Sequence, residues 1–466
     1  MKLKSRNYNV VIVGSGFSGI AAANMLAGHG LSILIIDENF HIGGQLLRTI
    51  PDKLGSNRKY KPDYVKRIGN RFIESLKNKD VEIMNQATVI GIYDNKELLI
   101  EIGNERVESV KFELILFSTG ARERYLPFKG WTLPGVFSAG MSQVLMKSSG
   151  VLPARDVVVG GSGLFLFSAA YEFLKNGAKV HSITESTGIT GKMAILPPLL
   201  HNLSKVAEGM RYLTKIAFAG VPVQFNRRII EARGNGSLEA VVVGKTDRNG
   251  KIIEGKERII TTSGLAYSYG FVPNVELPNL GGCKLIYERK LGGWITEVNE
   301  HMESSSAGMY CAGEVTGVGG ALKSVNEGET ASISILQKFG KGDRFSRRKL
   351  KLIGERKHHL AFAECFNTLY GIRAKEIQDI PGDTILCRCE DVKMGDIREA
   401  VSNGFISPGA LKTSVRAGMG NCQGRTCGPV IYDILAAASG EEGRNFTPFS
   451  NRPPLKPVKI NSLINQ

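Results

Sequence analysis

The sequence lacks any apolar run that could cross a membrane, and it lacks a cleavable export signal. A membrane-spanning helix needs about 20 consecutive apolar residues, and no stretch of the 466-residue chain approaches that length. The basic N-terminus, residues 1–7, is followed by a short apolar run and then directly by a glycine loop, without a small-residue cleavage site. We therefore expect a cytoplasmic protein without transmembrane segments.

Acidic residues are too few to balance the basic ones. The chain carries 60 Lys and Arg against 44 Asp and Glu, a net charge of +16. Because this charge is spread out and no DNA- or RNA-recognition motif accompanies it, we expect no nucleic-acid partner. One dense basic run, residues 341–357, is interpreted as a solvated face or linker; a docking surface for an acidic partner is the alternative.

Glycine, by contrast, is abundant, and the chain is too long for a single core. The 55 glycines fall in discrete clusters, which indicates tight turns and close approach of the backbone to ligands. A chain of this length predicts two or three domains.

The first cluster carries a dinucleotide-binding signature. A strand, a glycine loop, a helix and a second strand are predicted at residues 9–13, 14–19, 20–28 and 32–37. Gly14 makes the tight turn, Gly16 admits a pyrophosphate to the backbone, and Gly19 lets helix and strand pack closely. Asp37 ends the second strand, where its carboxylate can accept hydrogen bonds from ribose hydroxyls. The pyrophosphate would rest at the N-terminus of the helix.

Three later features favour FAD over NAD at this site. Gly44 and Gln45 follow the acid in a loop suited to the pyrophosphate and ribityl chain, and Thr119-Gly120 ends a buried strand at a domain crossing. Gly313-Glu314 resembles the second flavin motif, for which a plain NAD domain has no use. The candidate FAD-binding residues are Gly14, Ser15, Gly16, Phe17, Ser18, Gly19, Asp37, Glu38, Gly44, Gln45, Val89, Thr119, Gly120, Gly313 and Glu314.

The same order of strand, glycine loop, helix and second strand is predicted again at residues 156–185. Its loop keeps Gly161 and Gly163 but has Leu166 at the third glycine position, which puts tight NAD binding in doubt. Glu185 ends the next strand and is compatible with an NAD ribose. A working site for NAD or another adenine nucleotide and a purely structural second fold stay open.

Four of the seven cysteines form a metal-binding pattern, C-x-C-x32-C-x4-C. Without an export signal, cysteines are expected to serve as thiols, metal ligands or catalysts. Two close thiolate pairs favour a [2Fe–2S] cluster over structural zinc, which usually uses C-x2-C knuckles. The remaining cysteines, Cys283, Cys311 and Cys365, are expected to lie singly in the core. The candidate metal ligands are Cys387, Cys389, Cys422 and Cys427.

Residues 8–340 resemble the flavoproteins of the thioredoxin reductase and pyridine nucleotide-disulfide oxidoreductase group. That resemblance implies an α/β fold with two Rossmann-like dinucleotide-binding domains. No cysteine follows Gly43-Gly44 and no C-x-x-C lies in the second nucleotide domain, so disulfide reduction is excluded. The family acid after Gly313 is usually Asp; here it is Glu314.

The cysteine module resembles the [2Fe–2S] domain of bacterioferritin-associated ferredoxin (BFD). The string at residues 416–427, with those at 133–136 and 269–274, is similar to one family. It comprises the α-type subunits of two-component amine dehydrogenases, namely the A component of opine oxidase, the B component of hydrogen cyanide synthase and the α subunit of proline dehydrogenase. The resemblance implies an FAD domain at 1–140 and 271–340, interrupted by an NAD-like domain at 141–270. A basic linker at 341–380, a BFD-like domain at 381–440 and an extended tail at 441–466 would follow.

The family implies that this chain handles electrons while an FAD-containing β subunit oxidises the amine or imino acid. A small additional subunit and an FMN at a subunit interface are compatible with it. We identify no His or carboxylate constellation that would oxidise a substrate, so the catalytic residues are unknown. Two alternatives stay open: an NADH-dependent reductase of a ferredoxin, quinone or other acceptor, and a nucleotide-binding scaffold with a structural metal.

Overall fold

The computed structural model describes residues 5–48, 64–94, 96–188, 203–439 and 447–464. Within these ranges the α-helices are α1 (Phe17–Leu26), α2 (Tyr64–Leu76), α3 (Ala139–Ser148), α4 (Phe165–Lys175), α5 (Leu203–Phe218), α6 (Glu276–Leu280), α7 (Ala321–Lys338), α8 (Ser346–Leu369), α9 (Ala374–Gln378), α10 (Met394–Ser402), α11 (Pro408–Val415), α12 (Gly428–Ser439) and α13 (Ile460–Ile464). The strands are β1 (Ser5–Val13), β2 (Ile33–Ile36), β3 (Glu82–Met84), β4 (Ala87–Tyr93), β5 (Glu97–Ile102), β6 (Arg106–Phe117), β7 (Ala121–Glu123), β8 (Val136–Ser138), β9 (Asp156–Gly161), β10 (Lys179–Glu185), β11 (Val223–Phe225), β12 (Arg227–Arg233), β13 (Ala240–Thr246), β14 (Ile252–Thr261), β15 (Leu265–Ser268), β16 (Phe271–Pro273), β17 (Leu285–Glu288), β18 (Gly293–Thr296), β19 (Met309–Cys311), β20 (Ile385–Cys387) and β21 (Val392–Lys393).

The first sheet gathers strands from both ends of the nucleotide-binding region. Its order among the described strands is β3-β2-β1-β6-β5-β4, with β19 paired to β6. Strands β1, β2, β3, β6 and β19 are parallel. The apolar residues of β2 and β19 and of the C-terminal halves of β1 and β6 are mostly buried, whereas the edge strand β3 is not. Val13 and Cys311 are both in register with Phe117. The loops that follow β1, β6 and β19 therefore leave the sheet side by side.

The second sheet is parallel throughout the described strands, in the order β11-β10-β9-β15-β8. Helices α3, α4 and α5 accompany it, and an antiparallel sheet of β12, β13 and β14 lies beside it. Strand β8 joins this sheet although its residues fall in the segment predicted for the first domain. The predicted α/β class with two nucleotide folds is confirmed, whereas the individual domain boundaries stay a prediction.

Several element boundaries differ from the sequence expectation. Helix α1 begins at Phe17, three residues before the predicted start, because the chain turns helical directly after Gly16. It also ends at Leu26, before the predicted end at residue 28. Helix α7 begins at Ala321, directly after Gly320, and continues to Lys338. Both helices start directly after a glycine, and a periodic pattern of apolar residues does not locate such starts.

The basic run forms most of the first half of helix α8, a 24-residue helix packed against α7. Leu352, Phe362 and Ala363 are buried on its inner face, while Arg347 and Lys351 are exposed. The solvated face expected for this run is therefore present on an ordered helix, not on an irregular linker. Two of its cations, Lys349 and Arg356, instead turn inward.

The cysteine module is a small helical unit whose apolar residues continue the core around β9, β13 and β15. The hairpin β20–β21 and helices α10, α11 and α12 surround fully buried Leu386, Ile397, Leu411, Ile431 and Leu435. Residues 447–459 of the tail contain no regular helix or strand, as expected, but α13 follows them, so the expectation is wrong there. Residues 440–446 and 465–466 lie outside the described ranges.

Candidate functional site

The first glycine loop packs closely against the end of β6. Gly14 has φ +100°, and a Cβ there would come within 2.2 Å of the Ser118 carbonyl oxygen. A Cβ on Gly19 would come within 2.0 Å of the Gly14 carbonyl oxygen, whereas one on Gly16 would meet nothing within 4 Å. Glycine is thus required by packing at 14 and 19, while space is open beside Gly16. Helix α1 begins at this open space without a side-chain cap, which suits a phosphate.

Asp37 lies at the mouth of this loop, just past β2. Its side chain is buried; Oδ2 accepts from the Ser15 backbone N–H at 2.7 Å and Oδ1 from the Asn39 backbone N–H at 2.8 Å. Glu38 is exposed and pairs with Lys456 of the tail. The backbone therefore fixes the Asp37 carboxylate where a ribose would approach.

The segment after the acid returns to the glycine loop. Gly44 has φ +62°, and a Cβ there would lie 2.9 Å from the Gly16 Cα. The backbone N–H of Gly43 donates to the Ser15 carbonyl at 2.9 Å. Gln45 is exposed. This segment closes one side of the space beside Gly16.

The end of β6 provides a further wall. Thr119 Oγ1 donates to the Asn274 carbonyl at 2.7 Å, and Asn274 Nδ2 donates back to the Thr119 carbonyl at 2.9 Å. Gly120 has φ +72°. Val89, in contrast, is buried in the apolar core between β4 and its neighbours. Its side chain is occupied by core packing.

The late glycine turn meets the first loop directly. Gly313 has φ +90°, and a Cβ there would come within 2.5 Å of Ser18 Oγ. Glu314 Oε1 accepts from the backbone N–H groups of Gly320 at 2.7 Å and Gly319 at 3.2 Å. Its carboxylate thus fixes the two glycines that directly precede helix α7. Phe17 and Ser18 are both buried at this junction.

Sequence reasoning missed a buried charge cluster beneath this turn. Lys323 and Glu327 are fully buried on α7, and Arg356 reaches them from α8. The available signal was a Lys and a Glu four residues apart on a predicted helix. Such pairs usually lie on solvated faces, so the spacing alone does not indicate burial.

The second nucleotide fold repeats the plan of the first. Glu185 is fully buried; Oε2 accepts from the Gly163 backbone N–H at 2.9 Å and Oε1 from the Thr187 backbone N–H at 3.0 Å. Leu166 is fully buried in the apolar cluster between α4 and the sheet. The leucine thus fills the interface that a third glycine would leave narrow.

A later segment of the chain, residues 370–373, crosses the second nucleotide fold. The Tyr370 carbonyl accepts from Ser162 Oγ at 2.8 Å, and Arg373 Nη2 donates to the Ser186 carbonyl at 2.5 Å. Ser162 belongs to the glycine loop and Ser186 follows the strand-end acid Glu185. Residues 370–373 therefore span the two elements between which an adenosine ribose would bind.

The four candidate ligand cysteines come together from β20 and the loop before α12. A hydrogen bond with Cys427 lowers the pKa of Cys387 to about 6. Cys389 is in hydrogen-bond contact with Cys422. Glycine at 420 is required there, because a Cβ would come within 2.3 Å of the Cys389 Cβ. Each cysteine of one sequence pair thus meets a cysteine of the other.

This donor set fits a two-iron cluster better than a single zinc ion. The C-x-C and C-x4-C spacings differ from the C-x2-C knuckles usual in structural zinc sites. Four thiolates in two contacting pairs are the donors that a [2Fe–2S] cluster uses.

Two of the remaining cysteines are not isolated, contrary to expectation. A hydrogen bond with Cys311 lowers the pKa of Cys283 to about 7, and Cys283 Sγ lies 3.3 Å from Ser304 Oγ. The two thiols meet because β19 carries Cys311 under the loop that follows α6. Both are buried in the apolar core, which remains the expected environment.

The cysteine loop is joined to the first nucleotide fold by Arg122. Its Nη1 donates to Asn274 Oδ1 at 2.8 Å, and its Nε donates to the Arg425 carbonyl at 3.2 Å. Arg425 lies between Cys422 and Cys427, and Asn274 is hydrogen-bonded to Thr119. A cavity of about 50 Å³ lies at this junction, lined among others by Arg122, Glu276, Trp294, Gln423, Arg425 and Tyr432.

A nucleotide fold of this design, followed by a four-cysteine module, defines an FAD-dependent oxidoreductase with an iron–sulfur domain. The chain belongs to the pyridine nucleotide-disulphide oxidoreductase family, whose model matches residues 8–334. The model of the BFD-like [2Fe-2S] binding domain matches residues 385–437. FAD and a [2Fe–2S] cluster are accordingly its cofactors. Among the described residues, no helix combines the length and apolar character needed to cross a bilayer.

Individual relatives match along nearly the whole chain. Hydrogen cyanide synthase subunit HcnB of Pseudomonas aeruginosa is 30% identical over 98% of this chain and 99% of its own length. The A component of the opine oxidase of Rhizobium meliloti is 28% identical over 98% of this chain and 87% of its own length. The solved structure of L-proline dehydrogenase from P. horikoshii shares the fold, with a TM-score of 0.72, 18% identity and coverage of 99% of this chain and 80% of that one. These findings confirm the resemblance inferred from the cysteine string.

Proposed function

We propose that this chain is the electron-transfer subunit of a heteromeric dehydrogenase that oxidises a C–N bond of an amino acid, imino acid or opine. The amine site would lie in a partner β subunit. Relatives along the full chain are named as subunits of opine oxidase and hydrogen cyanide synthase, which supports this assignment. The observation that carries it is the Arg122 junction, which ties a flavin fold to a cysteine loop within one chain.

The FAD would be held by the loops at the common sheet edge. Gly16 and the start of α1 would receive the pyrophosphate, and Asp37 the ribose hydroxyls. Thr119 and Gly120 would line the path towards the late turn at Gly313. Exposed Gln45 and Glu38 would contact the cofactor only at its rim, and Val89 would act through packing.

The cluster would be held by Cys387, Cys389, Cys422 and Cys427. A flavin exchanges two electrons and a [2Fe–2S] cluster one, so together they convert paired transfers into single ones. The chain's contribution is to hold both sites in one body: Arg425 Nη2 also donates to the Leu455 carbonyl of the tail at 2.6 Å. Leu455 in turn donates its backbone N–H to the Ile90 carbonyl of β4.

Electrons are proposed to enter from the partner and not from NADH. An NADH-dependent reductase would need the second fold to accept a dinucleotide. Tyr370 and Arg373 cover its loop and strand end, and Leu166 replaces its third glycine. The scaffold alternative would need a structural metal in place of the cluster, whereas the cysteine module matches the BFD-like [2Fe-2S] binding domain.

Amine-dependent reduction of the assembled complex tests this function. The full-length chain would be purified anaerobically with its native partner, and amino acids, imino acids and opines would be added singly. We expect one of them to bleach the flavin absorbance and then reduce the cluster. Failure of every such donor, with bleaching by a different class of reductant, would contradict the proposal.

A further inference from the structure

Three charged side chains form a cluster beneath the late glycine turn: Lys323 and Glu327 of α7, and Arg356 of α8. The Lys323 and Glu327 side chains are 0% exposed, and the Lys323 Nζ lies 2.9 Å from Glu327 Oε2. Arg356 Nε donates to Glu327 Oε1 at 2.7 Å. Two cations therefore share one carboxylate inside the protein. Both cations hold the pKa of Glu327 below its usual value even though burial raises it.

This cluster binds both backbone groups of Gly313. Glu327 Oε2 accepts from the Gly313 N–H at 2.9 Å, and Lys323 Nζ donates to the Gly313 carbonyl at 2.9 Å. Lys323 Nζ also lies 2.9 Å from the Gly317 carbonyl and from Thr316 Oγ1. Every donor of the ammonium group is therefore occupied by the turn or by Glu327.

Helix packing alone does not require these charges. Burying ions is costly, and apolar residues of similar volume usually stabilise a helix interface at least as well. Lys323 and Glu327 also bind backbone groups outside helices α7 and α8. These groups lie in the turn 313–317. That turn lies against Ser18 of the first glycine loop, where a Cβ on Gly313 would already collide. The charges are therefore placed where the turn must be held in one conformation.

We propose that Lys323 and Glu327 are positioning residues for the flavin, holding the turn 313–317 against the first glycine loop. This inference rests on the proposed FAD site. With Arg356 the cluster carries a net positive charge, which stabilises the more negatively charged, reduced state of a flavin bound beside it. The cluster thus contributes to both FAD affinity and flavin potential.

The test compares two lysine-to-methionine variants of the full-length chain. Lys323→Met removes the charge beneath the turn. Lys349→Met is the matched control, because Lys349 is also nearly buried between α7 and α8 but donates to Gln337, away from the turn. We expect Lys323→Met to weaken FAD binding by about tenfold or more and to lower the flavin midpoint potential. We expect Lys349→Met to leave both values near wild type.

A gentler pair of variants covers the case in which Lys323→Met does not fold. Thr316→Val removes the hydroxyl between Lys323 and Glu327, whereas Thr316→Ser retains it. We expect Thr316→Val to bind FAD about fivefold more weakly, and Thr316→Ser to restore wild-type binding.

The outcomes separate this inference from the proposed FAD site. If the wild-type protein binds no FAD, the proposed FAD site is wrong, and this inference fails with it. If wild type binds FAD while folded Lys323→Met matches Lys349→Met in affinity and potential, the positioning role alone is overturned. Equal FAD binding by Thr316→Val and Thr316→Ser would overturn it as well.

Discussion

At the first nucleotide fold, Asp37 needs no rearrangement to receive a ribose. Its two carboxylate oxygens are held by the backbone N–H groups of Ser15 and Asn39. Asp37→Asn removes the charge that ribose hydroxyls would donate to, so we expect FAD affinity to fall by about tenfold to a hundredfold. Titration of the flavin-free protein with FAD measures this. Asp80→Asn, at an exposed position, is the control, and equal affinities for the two variants would argue against the assigned site.

A second residue-scale prediction concerns the cluster. Cys422 contacts Cys389, and its loss would leave three thiolates for two irons. We expect Cys422→Ser to reduce iron from about two per chain to near zero, whereas Cys365→Ser, outside the module, retains wild-type iron. Metal analysis of anaerobically purified protein provides the measurement. Full iron in Cys422→Ser would exclude that cysteine as a ligand.

At the scale of elements, the segment between α8 and α9 holds the second fold closed. Arg373 donates to the Ser186 carbonyl and lies 3.4 Å from Glu376, whose side chain is fully buried. We expect Arg373→Ala to lower the free energy of unfolding by about 2–3 kcal/mol, because Glu376 loses a charged partner in the interior. Arg398→Ala, which removes bonds to the carbonyls of α9 near the surface, should cost less than about 1 kcal/mol. Chemical denaturation of both variants decides between this account and a loosely attached segment.

Prediction from sequence succeeded for elements whose chemistry is local. The glycine loops and their flanking strands follow from neighbouring residues, because turn, helix start and acid are all within one βαβ unit. The cysteine pairs can also be predicted, since the spacing of the candidate ligands is visible in the sequence. Helix α1 starts three residues before its predicted start, because apolar periodicity does not reveal where a loop ends after a glycine.

Contacts between residues that are far apart in the chain could not be predicted from the sequence. Nothing near Lys323 indicates that Arg356 of another helix and the turn at Gly313 will enclose it. Likewise, Tyr370 lies 208 residues along the chain from its partner Ser162, and Arg373 lies 187 residues from Ser186. Such contacts arise only when α8 packs on α7 and carries its C-terminal end to the second sheet.

At the scale of the whole molecule, the two cofactor sites are held as one body while the second nucleotide fold is closed. Arg122 joins the flavin fold to the cysteine loop, and the tail fastens that loop to β4 through Leu455. We therefore expect electrons to pass between the two sites without domain movement, and NADH to find the second fold covered by residues 370–373. This arrangement supports the proposed electron-transfer subunit over a self-contained reductase.

The most direct test of this account is an anaerobic absorption spectrum of the purified full-length chain, with flavin and iron quantified, before and after addition of NADH. The account predicts FAD, about two irons per chain and no bleaching by NADH. Rapid bleaching by NADH would contradict it and make the chain a reductase in its own right, and absence of iron would contradict the cluster.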